Sequence, residues 1–173
     1  MRQSSDNHYE RAFESWLREH RVEYVHADEH ERIGPGPQSV KNFDALLYLG
    51  PQRCVIVEVK GRTFHGASLT GLKGLECWVT RDDVESLATW QQALGPDHEA
   101  VFVFAYRLEQ PDVDLDGREA FSFGSDRYVF FYVSLGDYRC HMRRRSPKWR
   151  TVTLPADAFR RHAHELTHLL QVG

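Results

Sequence analysis

Two neighbouring apolar runs constrain the fold of this chain most. Phe43-Asp44-Ala45-Leu46-Leu47-Tyr48-Leu49 and Cys54-Val55-Ile56-Val57-Glu58-Val59-Lys60 each read as a strand, and Gly50-Pro51 between them as a turn. Successive side chains in a strand point to opposite faces, so Glu58 and Lys60 share one face while Val57 and Val59 occupy the other. A carboxylate and an ammonium therefore stand side by side at the end of a strand whose beginning is apolar enough to be buried. Burying such charges is costly unless they pair with each other or bind a metal.

A length of 173 residues suits one domain, 1–173, with a single substantial core, and 41% hydrophobic with 27% charged residues is ordinary for a soluble globular protein. No apolar run is long enough to span a bilayer, and the start Met1-Arg2-Gln3-Ser4-Ser5-Asp6 lacks the hydrophobic stretch of a signal peptide. Cys54, Cys77 and Cys140 are odd in number and lack metal-type spacing, which favours a reducing cytoplasm. A net charge of -3 argues against strong non-specific binding to nucleic acid, although local basic patches coexist with acidic sites.

The remaining pattern is that of an α/β domain. From His8 to His20, the residues Tyr9, Ala12, Phe13, Trp16 and Leu17 form one helical stripe. Val22 to Val25 reads as a short strand, Ala27 to Ser39 as a loop, and Gly61 to Gly74 as a glycine-rich, mobile stretch. Thr80-Arg81-Asp82-Asp83 has the spacing of a capping box, predicting a helix to about Leu94 that Gly95-Pro96 ends. Ala100 to Tyr106 is a central strand, and Arg127 to Ser134 another, after an acidic loop from Glu109 to Glu119. A short helix over Tyr138 to Arg145, a strand over Trp149 to Leu154, and a terminal helix opened by Pro155 and running to Leu170 complete the expectation.

The combination of a helix acid, an Asp beginning one strand, and Glu58-Val59-Lys60 finishing the next resembles the PD-(D/E)XK nuclease superfamily, in particular its Holliday-junction-resolvase-like members. The resemblance covers mainly residues 8 to 107. It implies a restriction-endonuclease-like fold, a mixed central sheet flanked by helices, and Mg²⁺- or Mn²⁺-dependent hydrolysis of phosphodiester bonds in DNA. Asp44, Glu58 and Glu10 would be the metal ligands, converging on one point at one end of the sheet, and Lys60 the catalytic lysine. Glu10, in the pair Glu10-Arg11, borders the buried stripe, whereas Glu14 lies further toward solvent and is the reserve. Phe43 stands where many members carry a Pro before the first Asp. The start His8-Tyr9-Glu10-Arg11-Ala12-Phe13-Glu14 is also similar to a group of uncharacterised bacterial proteins, which supplies no activity. A DNA partner, a homodimer and a cytoplasmic location are compatible with this reading.

Clustered carboxylates repel one another, so removing Asp44 or Glu58 is expected to relieve strain in the metal-free protein. Arg143, Arg144, Arg145, Lys148 and Arg150 form a basic segment that could contact phosphates, with Trp149 available for stacking. Gln91 falls on the helical stripe of Val84, Leu87 and Ala88, where it could approach the site or simply hydrogen-bond at the core edge. The first rival to the nuclease is a nucleic-acid-binding or scaffold module that keeps the fold without hydrolysis. The second is a zinc metallopeptidase through His164-Glu165-x-x-His168, a motif that works on a helix but leaves only Leu169 to Gly173 for a third ligand. Asp112-Val113-Asp114-Leu115-Asp116-Gly117 opens like a calcium loop, yet its twelfth position is Phe123, and a solvated acidic hairpin explains it better.

Overall fold

The computed structural model describes residues 7–27 and 40–171. Helix α1 (Asn7–Glu19) is followed by β1 (Glu23–His26), β2 (Ala45–Gly50) and β3 (Arg53–Phe64). A 3₁₀ turn (Thr70–Leu72) and the short β4 (Val79–Thr80) lead into α2 (Arg81–Leu94), then β5 (His98–Leu108), β6 (Phe121–Phe123) and β7 (Asp126–Ser134). Helix α3 (Leu135–His141), β8 (Arg143–Ser146), β9 (Thr151–Thr153), α4 (Ala156–His162), β10 (His164–Glu165) and α5 (Leu166–Gln171) complete it.

The described strands form a mixed sheet in the order β1-β2-β3-β5-β7-β10, with β6 also on β7, and a small sheet in the order β4-β9-β8. β3 and β5 run parallel from Cys54 opposite His98 to Phe64 opposite Leu108, joined by the crossover through α2. The other pairings are antiparallel. Both faces of the sheet are covered. One face carries Ile56, Phe102, Phe104 and Phe131 against Val84, Leu87 and Trp90 of α2 and Phe159 of α4. The opposite face carries Val55, Val57, Val101 and Phe130 against Ala12, Phe13, Trp16 and Leu17 of α1 and Leu166 of α5. A strand covered on both sides has no solvent face, which is why β5 is apolar almost throughout. No described helix is long and apolar enough to cross a membrane.

Several elements depart from the sequence pattern. β3 does not stop at Lys60. Its partner β5 continues to Leu108, so the ladder draws Gly61 to Phe64 into the strand, and Leu69 and Leu72 beyond it are buried. The helix expected over Tyr138 to Arg145 begins earlier, because the Ser134 hydroxyl accepts from the Asp137 N–H at 3.1 Å, and it ends at His141. Arg143 to Ser146 then pair with β9 as a strand. The helix after Pro155 breaks at Ala163, whose backbone is extended, and His164 and Glu165 pair with Tyr132 and Phe131 at the edge of β7. An open sheet edge offered hydrogen-bond partners that outweighed local helix propensity. The loop expected over 27–39 lies almost wholly outside the described residues. In the acidic stretch, the Asp114 carboxylate accepts from the Asp116 N–H at 3.0 Å and from the Ser68 hydroxyl at 3.1 Å, holding its own loop together.

Gly61 fixes how α1 sits on the sheet. A Cβ there would lie 2.1 Å from Cδ2 of Tyr9, so only a glycine allows the Tyr9 ring to rest on the strand beside Lys60. Gly61→Ala is expected to destabilise the fold by about 1–3 kcal/mol, because the ring and the first turn of α1 must move. Thermal unfolding measures this, and an unchanged midpoint would mean that Tyr9 does not set the position of α1.

Candidate active site

The site exists because β3 outruns β2. Their antiparallel ladder begins with Ala45 opposite Val57, and the Asp44 N–H still donates to the Val57 carbonyl at 2.9 Å. Extending that register by one residue sets Asp44 opposite Glu58. Beyond it β3 has lost its neighbour on this side, and the free Val59 N–H is taken by the Asp44 carboxylate at 2.6 Å. A pocket of about 340 Å³ opens at this point, lined by Tyr9, Glu10, Asp44, Glu58, Lys60 and Arg62, among others. Alternation along β3 turns Glu58, Lys60 and Arg62 to the face of Ile56 and Phe64, and Glu10 enters from α1 on the other layer. The four residues expected from the sequence thus border one pocket. Glu14, the reserve, pairs with His26 at 3.0 Å instead.

Two further residues complete the site. Lys41 and Asp83 join Glu58 and Lys60 in a compact cluster of alternating charge. The Lys41 ammonium lies 3.0 Å from Oε1 of Glu58 and 2.5 Å from Oδ1 of Asp83. Lys60 lies 3.3 Å from the same Glu58 oxygen and 2.8 Å from Oδ2 of Asp83. Asp83 is placed by the capping box of α2, where its carboxylate accepts from the Thr80 N–H at 3.0 Å while its own N–H donates to the Thr80 hydroxyl at 3.0 Å. The Trp90 indole N–H donates to the Lys41 carbonyl at 2.9 Å and so anchors that segment against α2. The capping box was legible in the sequence. That it would bring α2 to the ends of β2 and β3 was not, since the packing of Val84, Leu87 and Trp90 on β3 and β5 decides it. Lys41 belongs to no periodic pattern and gave no signal.

The electrostatics divide the acids. Burial alone would raise the Asp83 carboxyl, but Lys60 and Lys41 hold it well below the ordinary carboxylate range. Burial alone would lower Lys41, yet Glu58 and Asp83 hold its ammonium above its usual value. Asp44 goes the other way. Burial pushes it well up, and the nearby Glu58 and Glu10 push it further, against the Val59 N–H and Lys60. The expected convergence on one metal point is incomplete: among the described residues, no group of three or more His, Cys, Asp and Glu side chains is arranged to hold a metal ion. The reason is the ion cluster, in which Lys41 and Lys60 hold Glu58 beside Asp83. The donor chemistry itself, carboxylate oxygens with a buried Asp44 that neighbouring acids disfavour as an anion, suits a hard divalent cation.

The basic segment borders the site on one side. Arg143, Arg144 and Arg145 are exposed on β8, and the Arg145 guanidinium lies over the Trp78 ring at 4.9 Å. Arg62 lies over the same ring at 4.0 Å and donates to the Trp78 carbonyl at 2.5 Å, and Trp78 lines the pocket. Lys148 sits over the exposed Trp149 ring at 5.1 Å, and Arg150 lies 3.5 Å from Asp82. Gln91 is not at the site; its side-chain carbonyl accepts from the Ala100 N–H at 2.8 Å. His164 and His168 stack at 4.9 Å, but His164 and Glu165 are in a strand, so the one-face helical arrangement on which the zinc motif depends is missing.

No family model matches the sequence, and no curated protein matches it. Among solved structures, the chain is similar to Hjc, a Holliday junction resolvase from Archaeoglobus fulgidus. The identity is 16%, the match covers 95% of this chain and 98% of that one, and the TM-score is 0.55. That neighbour is a PD-(D/E)XK superfamily member, and the expected restriction-endonuclease-like fold is the one this chain adopts. At such an identity the likeness carries the fold alone.

The two carboxylates should respond oppositely to neutralisation in the metal-free protein. Because the folded-state pKa of Asp44 is raised, the folded state holds an extra proton from the ordinary value of 3.8 upward. Its contribution to stability is therefore present at low pH and lost as the pH rises through the raised value. Asp44→Asn should remove that loss and leave stability at neutral pH equal or higher. Glu58→Gln departs from the simple expectation of relieved repulsion. It takes from two lysines a shared partner, at a cost of about 1–3 kcal/mol, since Asp83 still holds both and Lys41 is half exposed. Denaturant titrations of both variants from pH 4 to 9 test the contrast, and a stabilising Glu58→Gln would contradict the ion cluster.

Proposed function

We propose that this chain is a single-domain, divalent-cation-dependent nuclease acting on DNA. One observation carries the reading: Glu10, Asp44, Glu58 and Lys60, drawn from a helix and two strands, line one pocket where β3 outruns β2. Glu10, Asp44 and Glu58 would hold Mg²⁺ or Mn²⁺ through carboxylate oxygens. A cation bound there supplies Lewis acidity and lowers the pKa of a bound water toward neutrality. The Val59 N–H fixes the orientation of Asp44, so this donor is positioned before any ligand arrives. Lys60, with both of its carboxylate partners in the cluster, keeps its ammonium at the pocket, where it can stabilise charge developing on a phosphate oxygen. Arg143, Arg144, Arg145, Lys148 and Arg150 would bind the DNA backbone beside it. The fold neighbour, a Holliday junction resolvase, supports DNA as the substrate class.

A second reading keeps the fold and the DNA contact without hydrolysis, and the ion cluster favours it, since Glu58 is already satisfied by two lysines. The two readings differ in their response to cations. A cation that binds only the folded state must stabilise it, by about 2.7 kcal/mol at a hundredfold excess over its dissociation constant. For a chain of this size that raises the melting temperature by about 5–10 °C. We expect Mg²⁺ or Mn²⁺ to produce this rise in the unmodified protein together with cleavage of DNA. Asp44→Asn should lose both, whereas Lys60→Ala should keep much of the thermal response and still lose cleavage. A melting temperature indifferent to both cations, with no cleavage, supports the scaffold instead.

The basic segment has its own test. Replacing Arg143, Arg144 and Arg145 together with Ala should weaken binding to duplex DNA. The fall of log K with log salt should become shallower by roughly 0.9 for each phosphate that the variant no longer neutralises. The fold should survive, because these side chains are exposed. An unchanged slope in fluorescence anisotropy would mean that the segment is only a solvated face.

A further inference from the structure

Lys41 and Lys60 meet at a single carboxylate oxygen. Oε1 of Glu58 lies 3.0 Å from the Lys41 ammonium and 3.3 Å from that of Lys60. Asp83 holds the same two lysines, one on each of its oxygens, at 2.5 and 2.8 Å. The place of that Glu58 oxygen is therefore a seat for an anion within reach of two ammoniums, and all four side chains line the active-site pocket. Lys41 is the more open of the two lysines, its side chain 52% exposed against 16% for Lys60. An ammonium carries three donors, so two carboxylate partners leave Lys41 with one more to give. Arg62, a further cation lining the pocket, is committed to the Gly61 and Trp78 carbonyls, to which it donates at 2.8 and 2.5 Å.

We propose that a DNA backbone phosphate takes over this seat from Glu58, with Lys41 as a second phosphate-binding lysine beside Lys60, and that a divalent cation opens it. The inference rests on the nuclease reading and deepens it by joining cation binding to phosphate capture. Charge balance carries the argument. With Glu58 in place, two lysines face two acids, and the cluster has no net charge with which to attract a phosphate. Once Glu58 turns to share a cation with Asp44, the two ammoniums keep Asp83 alone. The cluster then carries one positive charge in excess, which draws an anion to the place that Glu58 left. A phosphodiester suits that place. It brings one negative charge spread over two unbridged oxygens, so it can accept charge-assisted hydrogen bonds from both lysines, as the Glu58 oxygen did. One movement of Glu58 thus prepares a cation site and a phosphate seat together, and by linkage each ligand tightens the other.

The test measures binding of the full chain to duplex DNA by fluorescence anisotropy, in Ca²⁺, a cation that also takes oxygen ligands, and in EDTA. We expect Lys41→Met to weaken binding in Ca²⁺ by about tenfold, the scale of one hydrogen bond between charged groups. The fall of log K with log salt should become shallower by roughly 0.9, for one phosphate no longer neutralised. In EDTA, where Glu58 fills the seat, the same variant should bind as the unmodified protein does, and Lys41→Arg should restore affinity in Ca²⁺. A purely structural lysine would not make its effect depend on the cation. An effect of equal size in both conditions, or none in Ca²⁺, would overturn the proposal. Should Lys41→Met fail to fold, the unmodified protein answers the same question by lysine acylation and mass spectrometry. DNA should shield Lys41 in Ca²⁺ and not in EDTA, and a Lys41 that DNA leaves equally reactive in Ca²⁺ contradicts the seat. Failure of the nuclease reading shows itself separately, as cation-gated binding by a protein that never cleaves with Mg²⁺ or Mn²⁺.

Discussion

Glu58 and Asp83 are almost fully buried at the junction of β3 and α2, and neither could remain there as an anion without a partner. Lys41 and Lys60 supply the compensation, each touching both carboxylates. The cluster ties three parts of the chain: the segment before β2, the late part of β3, and the first turn of α2. Because the capping box sets Asp83 while Trp90 holds Lys41, the charges are positioned by the helix that covers the sheet. Shifting α2 against β3 would take Asp83 from both lysines while Glu58 stayed buried, so the local electrostatics also specify how the layers dock.

Asp44 stands beside this cluster but is not compensated in the same way. Its carboxylate is opposed by Lys60 and one peptide N–H, while burial and two neighbouring acids act against its charge. The contrast between Asp83, held low, and Asp44, pushed up, lies within one pocket of about 340 Å³. Burial and its partners thus set two carboxyls that line one pocket in opposite directions, a difference that follows from which of them the lysines hold.

Much of this was legible in the sequence, for identifiable reasons. Period-two alternation gave the shared face of Glu58 and Lys60, the helical stripe gave α1 and the border position of Glu10, and Thr80 with Asp83 gave the start of α2. What escaped was decided by partners distant in sequence. β3 runs on to Phe64 because β5 does, and the helix after Pro155 breaks because the edge of β7 accepts His164 and Glu165. Lys41 lies in a segment without periodicity, so only the packed arrangement reveals its role. The place of Trp78 at the pocket escaped for the same reason, since nothing local distinguishes it from Trp149, the exposed tryptophan that the basic composition brought forward.

The ion cluster need not oppose a catalytic role. Asp83 can hold both lysines through its two oxygens, one on each. If the Glu58 carboxylate turned toward Asp44, each lysine would keep one of its two partners, and no buried ammonium would be left alone. The cost is then that of weakening two charge-assisted hydrogen bonds, one of them to the half-exposed Lys41, and not that of stranding a charge in the core. A divalent ion meeting Asp44 and Glu58 together would offset it, because the same ion compensates both the burial and the neighbouring acids that raise Asp44. Asp83 would thus act as the counter-charge that lets Glu58 change partners. On this argument a carboxylate legible in the sequence only as a capping residue would allow Glu58 to serve a structural pair in one state and a ligand in another.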